Sequence, residues 1–158
     1  MNGNHEGWMQ WAMREAEKAS DQGEIPVGAV VVLENRIIGK GYNQTEMLQD
    51  PTAHAEMIAI SAAAATLHSW RLEGCTLYAT LEPCAMCAGA LVLARIPLLV
   101  FGAFDPKAGA CGSLRNIVQD HRLNHRIETV SGVLGGEVSL LMKSFFEKMR
   151  QGKKNTTP

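Results

Sequence analysis

Near the start of the chain, Met9, Ala12, Met13, Ala16 and Ala19 recur at helical spacing and Gly23 follows as a stop. This predicts a first helix over about 6–22. The period then changes: in PVGAVVVLENRIIGKGYN, two halves rich in Val and Ile flank Glu34-Asn35, the pattern of two strands joined by a tight turn. A polar loop ending in Asp50-Pro51-Thr52 leads into an Ala-rich segment. High helix propensity predicts a second helix over about 53–66, with Thr52 or Asp50 as its cap. CTLYATL predicts a third strand, and Pro83 opens a helix through CAMCAGALVLAR, where its missing N–H costs nothing in the first turn. LLVFGAF predicts a fourth strand and RIETVSGV a weaker fifth. A last helix is predicted over about 136–150.

Strands alternating with helices after an opening hairpin predict an α/β domain with a mixed sheet covered on both faces. Sites in such sheets form beyond the carboxyl ends of strands, where the following helices begin. His54 and Cys84 both fall at predicted helix starts. No repeat or linker divides the 158 residues, so they read as one domain, 1–158, with short tails over 1–5 and 152–158. The opening MNGNHEGWMQ resembles neither a signal peptide nor a transit sequence, and no run approaches the roughly 18 apolar residues of a membrane span. The expectation is a soluble, cytoplasmic protein.

Composition adds two points. The net charge of −1 hides an asymmetry: residues 1–94 carry 5 Lys or Arg against 11 Asp or Glu, whereas residues 95–158 carry 10 against 5. Lys143, Lys148, Arg150, Lys153 and Lys154 supply much of the C-terminal excess, which would attract a phosphate backbone or simply solvate a helix face. The four cysteines, in a chain expected to stay in a reducing compartment, read as metal ligands or core thiols and not as disulfides. Cys84 and Cys87 form a Cys-x-x-Cys pair, Cys75 reads as a small core residue, and Cys111 in its Gly-rich loop has no assigned role.

His54-Ala55-Glu56 is followed by Pro83-Cys84-Ala85-Met86-Cys87, with Cys84 thirty positions after the histidine. A lone histidine is commonly a core or surface residue, and an isolated Cys-x-x-Cys can be redox-active or structural. Together they supply one imidazole and two thiolates, and a catalytic zinc site uses three protein ligands so that the fourth tetrahedral position stays open to water. Residues i and i+3 in a first helical turn lie on one face, and the helix N-terminus favours ionised thiols. Glu56 stands two residues from the histidine and is not counted as a ligand. It is expected to take the proton of the attacking water and deliver it to a ring nitrogen, and afterwards to protonate the departing amine as ammonia. The reaction so implied is hydrolytic deamination.

At these residues the sequence resembles the cytidine deaminase-like superfamily, and within it the bacterial tRNA-specific adenosine deaminases. The motif H-x-E with P-C-x-x-C is an established signature there, so the zinc assignment repeats a known case. The resemblance extends to Glu24-Ile25-Pro26-Val27-Gly28-Ala29, Asp50-Pro51-Thr52-Ala53, Leu81-Glu82, Phe101-Gly102-Ala103, Asp105-Pro106-Lys107-Ala108-Gly109 and Asn124-His125-Arg126. It implies a three-layer α/β/α sandwich with a central five-stranded mixed sheet, one zinc ion per chain and a homodimer. It also implies a substrate, the adenosine at the wobble position of a transfer RNA anticodon stem-loop, converted to inosine. By position, the resemblance makes Asn43 a base contact and Asp105 and Lys107 anticodon-loop contacts. It places Phe145 and Phe146 near RNA, with Phe145 as the expected contact. The alternative is a deaminase of a free base or nucleoside such as guanine or cytosine, which the same metal site would serve.

Overall fold

The computed structural model describes the backbone of residues 4–156 and side chains through residue 153. Helix α1, His5–Asp21, is capped by the Asn4 side chain, which accepts from the Gly7 N–H. Strands β1, Gly28–Leu33, and β2, Arg36–Tyr42, form the expected hairpin. Its turn residues Glu34 and Asn35 have φ of 49° and 60°, the left-handed pair that matches the twist of adjoining strands. A four-residue helix α2, Thr45–Leu48, follows. Then come α3, Ala55–Leu67, β3, Thr76–Leu81, α4, Ala85–Leu93, β4, Leu98–Ala103, β5, Glu128–Val130, and α5, Gly135–Thr156.

The sheet order is β2-β1-β3-β4-β5. β1 pairs antiparallel with β2 and β3, whereas β3–β4 and β4–β5 are parallel, so the sheet is five-stranded and mixed. Alternation along the strands divides the core between the two faces. On one face Ala29, Val31, Leu77, Ala79, Leu99 and Phe101 pack with α3 and α4. On the other Val30, Val32, Tyr78 and Val100 meet Met9 and Ala12 of α1. The result is the expected α/β/α sandwich.

Two sequence expectations need correction, the cap of the second long helix and the extent of the tails, and one element was not foreseen. Asp50 and Thr52 do not cap the second long helix: the Asp50 carboxylate accepts from the Thr52 N–H and hydroxyl in a local turn. His54 occupies the cap position with extended backbone, and the Asn43 side-chain oxygen takes the Ala55 N–H at 2.8 Å. Residues 152–156, expected as a tail, continue α5; nothing in QGKKN breaks a helix as Pro would. α2 was not predicted, because TEML has no apolar period and its support is remote. Both oxygens of the buried Glu24 carboxylate accept from its first turn, from Glu46 N at 3.0 Å and Met47 N at 2.8 Å. Of the tail expected over 1–5, Asn4 caps α1 and His5 begins it, because the Asn4 side chain satisfies a first-turn N–H; residues 1–3 and 157–158 lie outside the described residues.

β2 lies unusually close to α3. A Cβ on Gly41 would run into the backbone of Ala55 and Ala59, and one on Gly39 into that of Ala59 and Ala63. This approach sets the depth at which the start of α3 meets the sheet. Gly41→Ala is expected to cost about 1–3 kcal/mol through overpacking. For a domain of this size that lowers Tm by roughly 2–12 °C; a melting curve superimposable on wild type would show slack at this contact.

Candidate metal and catalytic centre

The site forms where strand ends and helix starts converge. His54 and Cys84 are the residues immediately preceding α3 and α4, both extended, at φ −81° and ψ 150° and at φ −75° and ψ 178°. Cys87 lies one turn into α4 and is fully buried. The His54 imidazole Nδ1 lies 3.5 Å from Cys84 Sγ and 3.6 Å from Cys87 Sγ. These three ligand atoms all lie within 4.8 Å of one another, and no other such group occurs among the described residues. A tetrahedral ion with bonds of about 2.0–2.1 Å to nitrogen and 2.3 Å to sulfur separates the two donor types by about 3.5 Å. The donor set therefore fits a metal such as zinc in both chemistry and spacing.

Electrostatics point the same way. The Cys84 thiol is lowered to about 3, first by a hydrogen bond with Cys87 and then by His54. Cys87 is pushed strongly up, because its neighbour Cys84 and its burial oppose a second negative charge there. His54 is raised by its contact with Cys84. Two adjacent thiolates are thus unfavourable without a cation to share them.

Glu56, in the first turn of α3, is 4% exposed, and its Oε1 is buried without a hydrogen-bond partner. Burial raises its pKa above the usual carboxylate range. An orphaned buried oxygen costs stability, and one beside a metal-ligand cluster is placed to exchange a proton with a molecule in the cavity. His54, Glu56 and Cys84 share that cavity, about 560 Å³, with Asn43, Asp105 and Lys107.

Phe145 does not line the cavity. It is 7% exposed, whereas Phe146 is 40% exposed and does line it, together with Ser139 and Met142 of α5. Helical spacing held the signal: Val138, Met142 and Phe145 recur at i, i+4 and i+7 towards the core, and Ser139, Met142 and Phe146 at i, i+3 and i+7 towards the cavity. Asn43 has its oxygen committed to Ala55, so its NH2 is what it can offer a ligand. Asp105 Oδ1 accepts from Lys107 N at 3.1 Å and Ala108 N at 3.3 Å, shaping its own loop. Cys111 is buried and its thiol is pushed up to about 12, first by burial. It donates to Pro83 O at 3.7 Å and stays outside the ligand cluster.

Residues 3–150 match the model of the MafB19-like deaminase family. The chain belongs to this family. A tRNA-specific adenosine deaminase from Bacillus subtilis is 51% identical over 93% of this chain and 91% of its own. A structure from biochemical and structural studies of A-to-I editing by tRNA:A34 deaminases at the wobble position superposes with a TM-score of 0.82. It is 41% identical and covers 85% of this chain and 98% of its own. A Bacillus subtilis guanine deaminase is 40% identical over 64% of this chain and 65% of its own, with a TM-score of 0.61. The deaminase centre thus lies on a fold that serves both RNA and free-base substrates among its relatives, and the walls around the metal cluster must separate them.

Proposed function

We propose that this deaminase converts adenosine to inosine at the wobble position of a transfer RNA anticodon, using one zinc ion held by His54, Cys84 and Cys87. The observation that carries the reading is the set of three metal donors with an unpartnered Glu56 oxygen in the same cavity, joined to 51% identity with a tRNA-specific adenosine deaminase. Zinc bound there supplies Lewis acidity that makes water a competent nucleophile near neutral pH. Glu56 takes the proton of that water and delivers it to the purine ring as the C–O bond forms at the amino-bearing carbon. It then takes the proton of the new hydroxyl and passes it to the amine, so that the C–N bond breaks, the carbonyl forms and ammonia leaves.

The cavity walls suit a base turned out of a loop. The Asn43 amide faces a base edge as donor, while Asp105 shapes the wall that carries the exposed Lys107. Phe104 and Phe146 are exposed aromatics of the cavity wall, and stacking a base on such a ring is worth about 1–3 kcal/mol. Exposed Lys143, Lys148 and Arg150 on α5 extend the cationic surface for phosphate. The enzyme works in the cytoplasm as a homodimer; exposed Leu93 and Leu114, 69% and 61% accessible, offer apolar surface for a second copy. No described helix is long and apolar enough to cross a membrane.

The test is turnover of an anticodon stem-loop carrying the wobble adenosine, with metal content measured on the same sample. Inosine formation is expected, with kcat/KM falling at least about tenfold between roughly 50 and 200 mM salt as counterions compete with the basic surface. Turnover of free guanine or cytosine with none on the stem-loop would overturn the reading.

A further inference from the structure

We infer that Glu82 is a positioning residue for the RNA substrate: its buried carboxylate fastens the cavity wall formed by residues 104–108 to the turn that carries Cys84. The inference rests on the RNA reading above.

Glu82 is 2% exposed and directly follows the last residue of β3, two residues before Cys84. Among the described residues, no lysine or arginine pairs with it. Its two oxygens are divided among four donors from one loop. Oε1 accepts from Asp105 N at 2.9 Å and from the Ser113 hydroxyl, and Oε2 from Cys111 N and Ser113 N, each at 3.0 Å. The loop wraps this carboxylate so closely that a Cβ at Gly109 would collide with it. Two backbone links continue the seam: Ala110 N donates to Pro83 O at 2.9 Å, and Gly109 forms an antiparallel bridge with Cys84.

Five consecutive residues of that loop, Phe104 to Ala108, line the cavity. Phe104 is 54% exposed and Lys107 is exposed as well, so this stretch is held by little packing beyond the edge contact of Phe104 with Phe101. Its register against the turn that carries Cys84 is set by these hydrogen bonds to one side chain together with the two backbone links at Gly109 and Ala110. A carboxylate suits this task because it accepts on both oxygens and donates on neither. Glutamine has the same length but would turn an NH2 towards the N–H groups of Asp105 or of Cys111 and Ser113, leaving buried donors facing a donor.

The wall is expected to bind RNA in the ground state and the transition state alike, so loosening it shows in KM. The measurements use the zinc-loaded enzyme and the anticodon stem-loop. Glu82→Gln is expected to keep about one zinc per chain and the wild-type circular dichroism spectrum, to raise KM about tenfold or more, and to change kcat by less than about threefold. Hydrogen exchange at the amides of Asp105, Cys111 and Ser113 should rise with it. Ser113→Ala keeps the carboxylate and removes one donor, and it should raise KM in the same direction by a smaller factor. Glu82→Asp, which restores two acceptor oxygens, should recover part of the loss.

An unchanged KM in folded Glu82→Gln overturns the inference, as does a loss explained wholly by missing zinc. Should Glu82→Gln fail to fold, an unchanged KM in Ser113→Ala overturns it. A wild type without stem-loop turnover overturns the substrate reading and this inference together, whereas wild-type turnover with unmoved variants overturns the role of Glu82 alone.

Discussion

Glu56→Gln is expected to retain zinc and bind the anticodon stem-loop as wild type does, yet to lose on the order of 10²- to 10⁴-fold in kcat, the usual contribution of a positioned acid–base group. The substitution preserves volume and leaves the ligand cluster intact, but an amide can neither accept the water proton nor return it to the amine. Two features make the loss specific. The carboxylate is 4% exposed, so bulk buffer has little access to replace it, and its Oε1 has no protein partner that its removal would strand. Because an unpartnered buried oxygen is costly, Glu56→Ala should melt no lower than wild type while being equally inactive, as expected where function is maintained at the expense of stability. Inosine formation measured under single-turnover conditions separates this from slow product release. Activity within about threefold of wild type would remove Glu56 from the proton-transfer step.

The residues of this centre were legible in the sequence because their chemistry is carried by short spacing. His54 and Glu56 share one helix start, Cys84 and Cys87 share another, and each pair is set by local geometry. The hairpin was legible for a similar reason, since Glu34-Asn35 stands between two β-branched runs and adopts the backbone that such turns require. What the sequence hid depends on partners far along the chain. The N–H that His54 leaves open at the start of α3 is satisfied from Asn43, twelve positions earlier, and not by the nearer Asp50 or Thr52. α2 hangs from Glu24, and the 104–113 loop from Glu82, at separations of 22 to 31 residues. Buried carboxylates of this kind have no periodic signature: in a sequence they look like ordinary surface acids. The assignment of Phe145 to the RNA came from resemblance, while the helical period of α5 already turned that ring inward and Phe146 towards the cavity.

Cys87→Ala should abolish both metal binding and deamination, and it should also destabilise the fold. Cys87 is fully buried under the first turn of α4, 3.6 Å from His54 Nδ1. No neighbouring thiol is placed to substitute, because Cys111 is outside the cluster and held as a neutral thiol by burial. The remaining His54 and Cys84 leave two protein ligands where a catalytic zinc site uses three. Zinc per chain is therefore expected to fall from about one to near zero, with inosine formation at background. A ligand present at about 1,000 times its Kd stabilises by about 4 kcal/mol, so losing it lowers Tm by roughly 8–16 °C in a domain of this size. Chelation of the wild type should reproduce both losses, and added zinc should reverse them in the wild type but not in the variant. Cys75→Ala supplies the contrast. Cys75 is equally buried but lies in the apolar core, outside the ligand cluster. Its removal should cost some packing while leaving zinc content and turnover intact. A Cys87→Ala protein that keeps its zinc and its activity would show that the metal is held elsewhere.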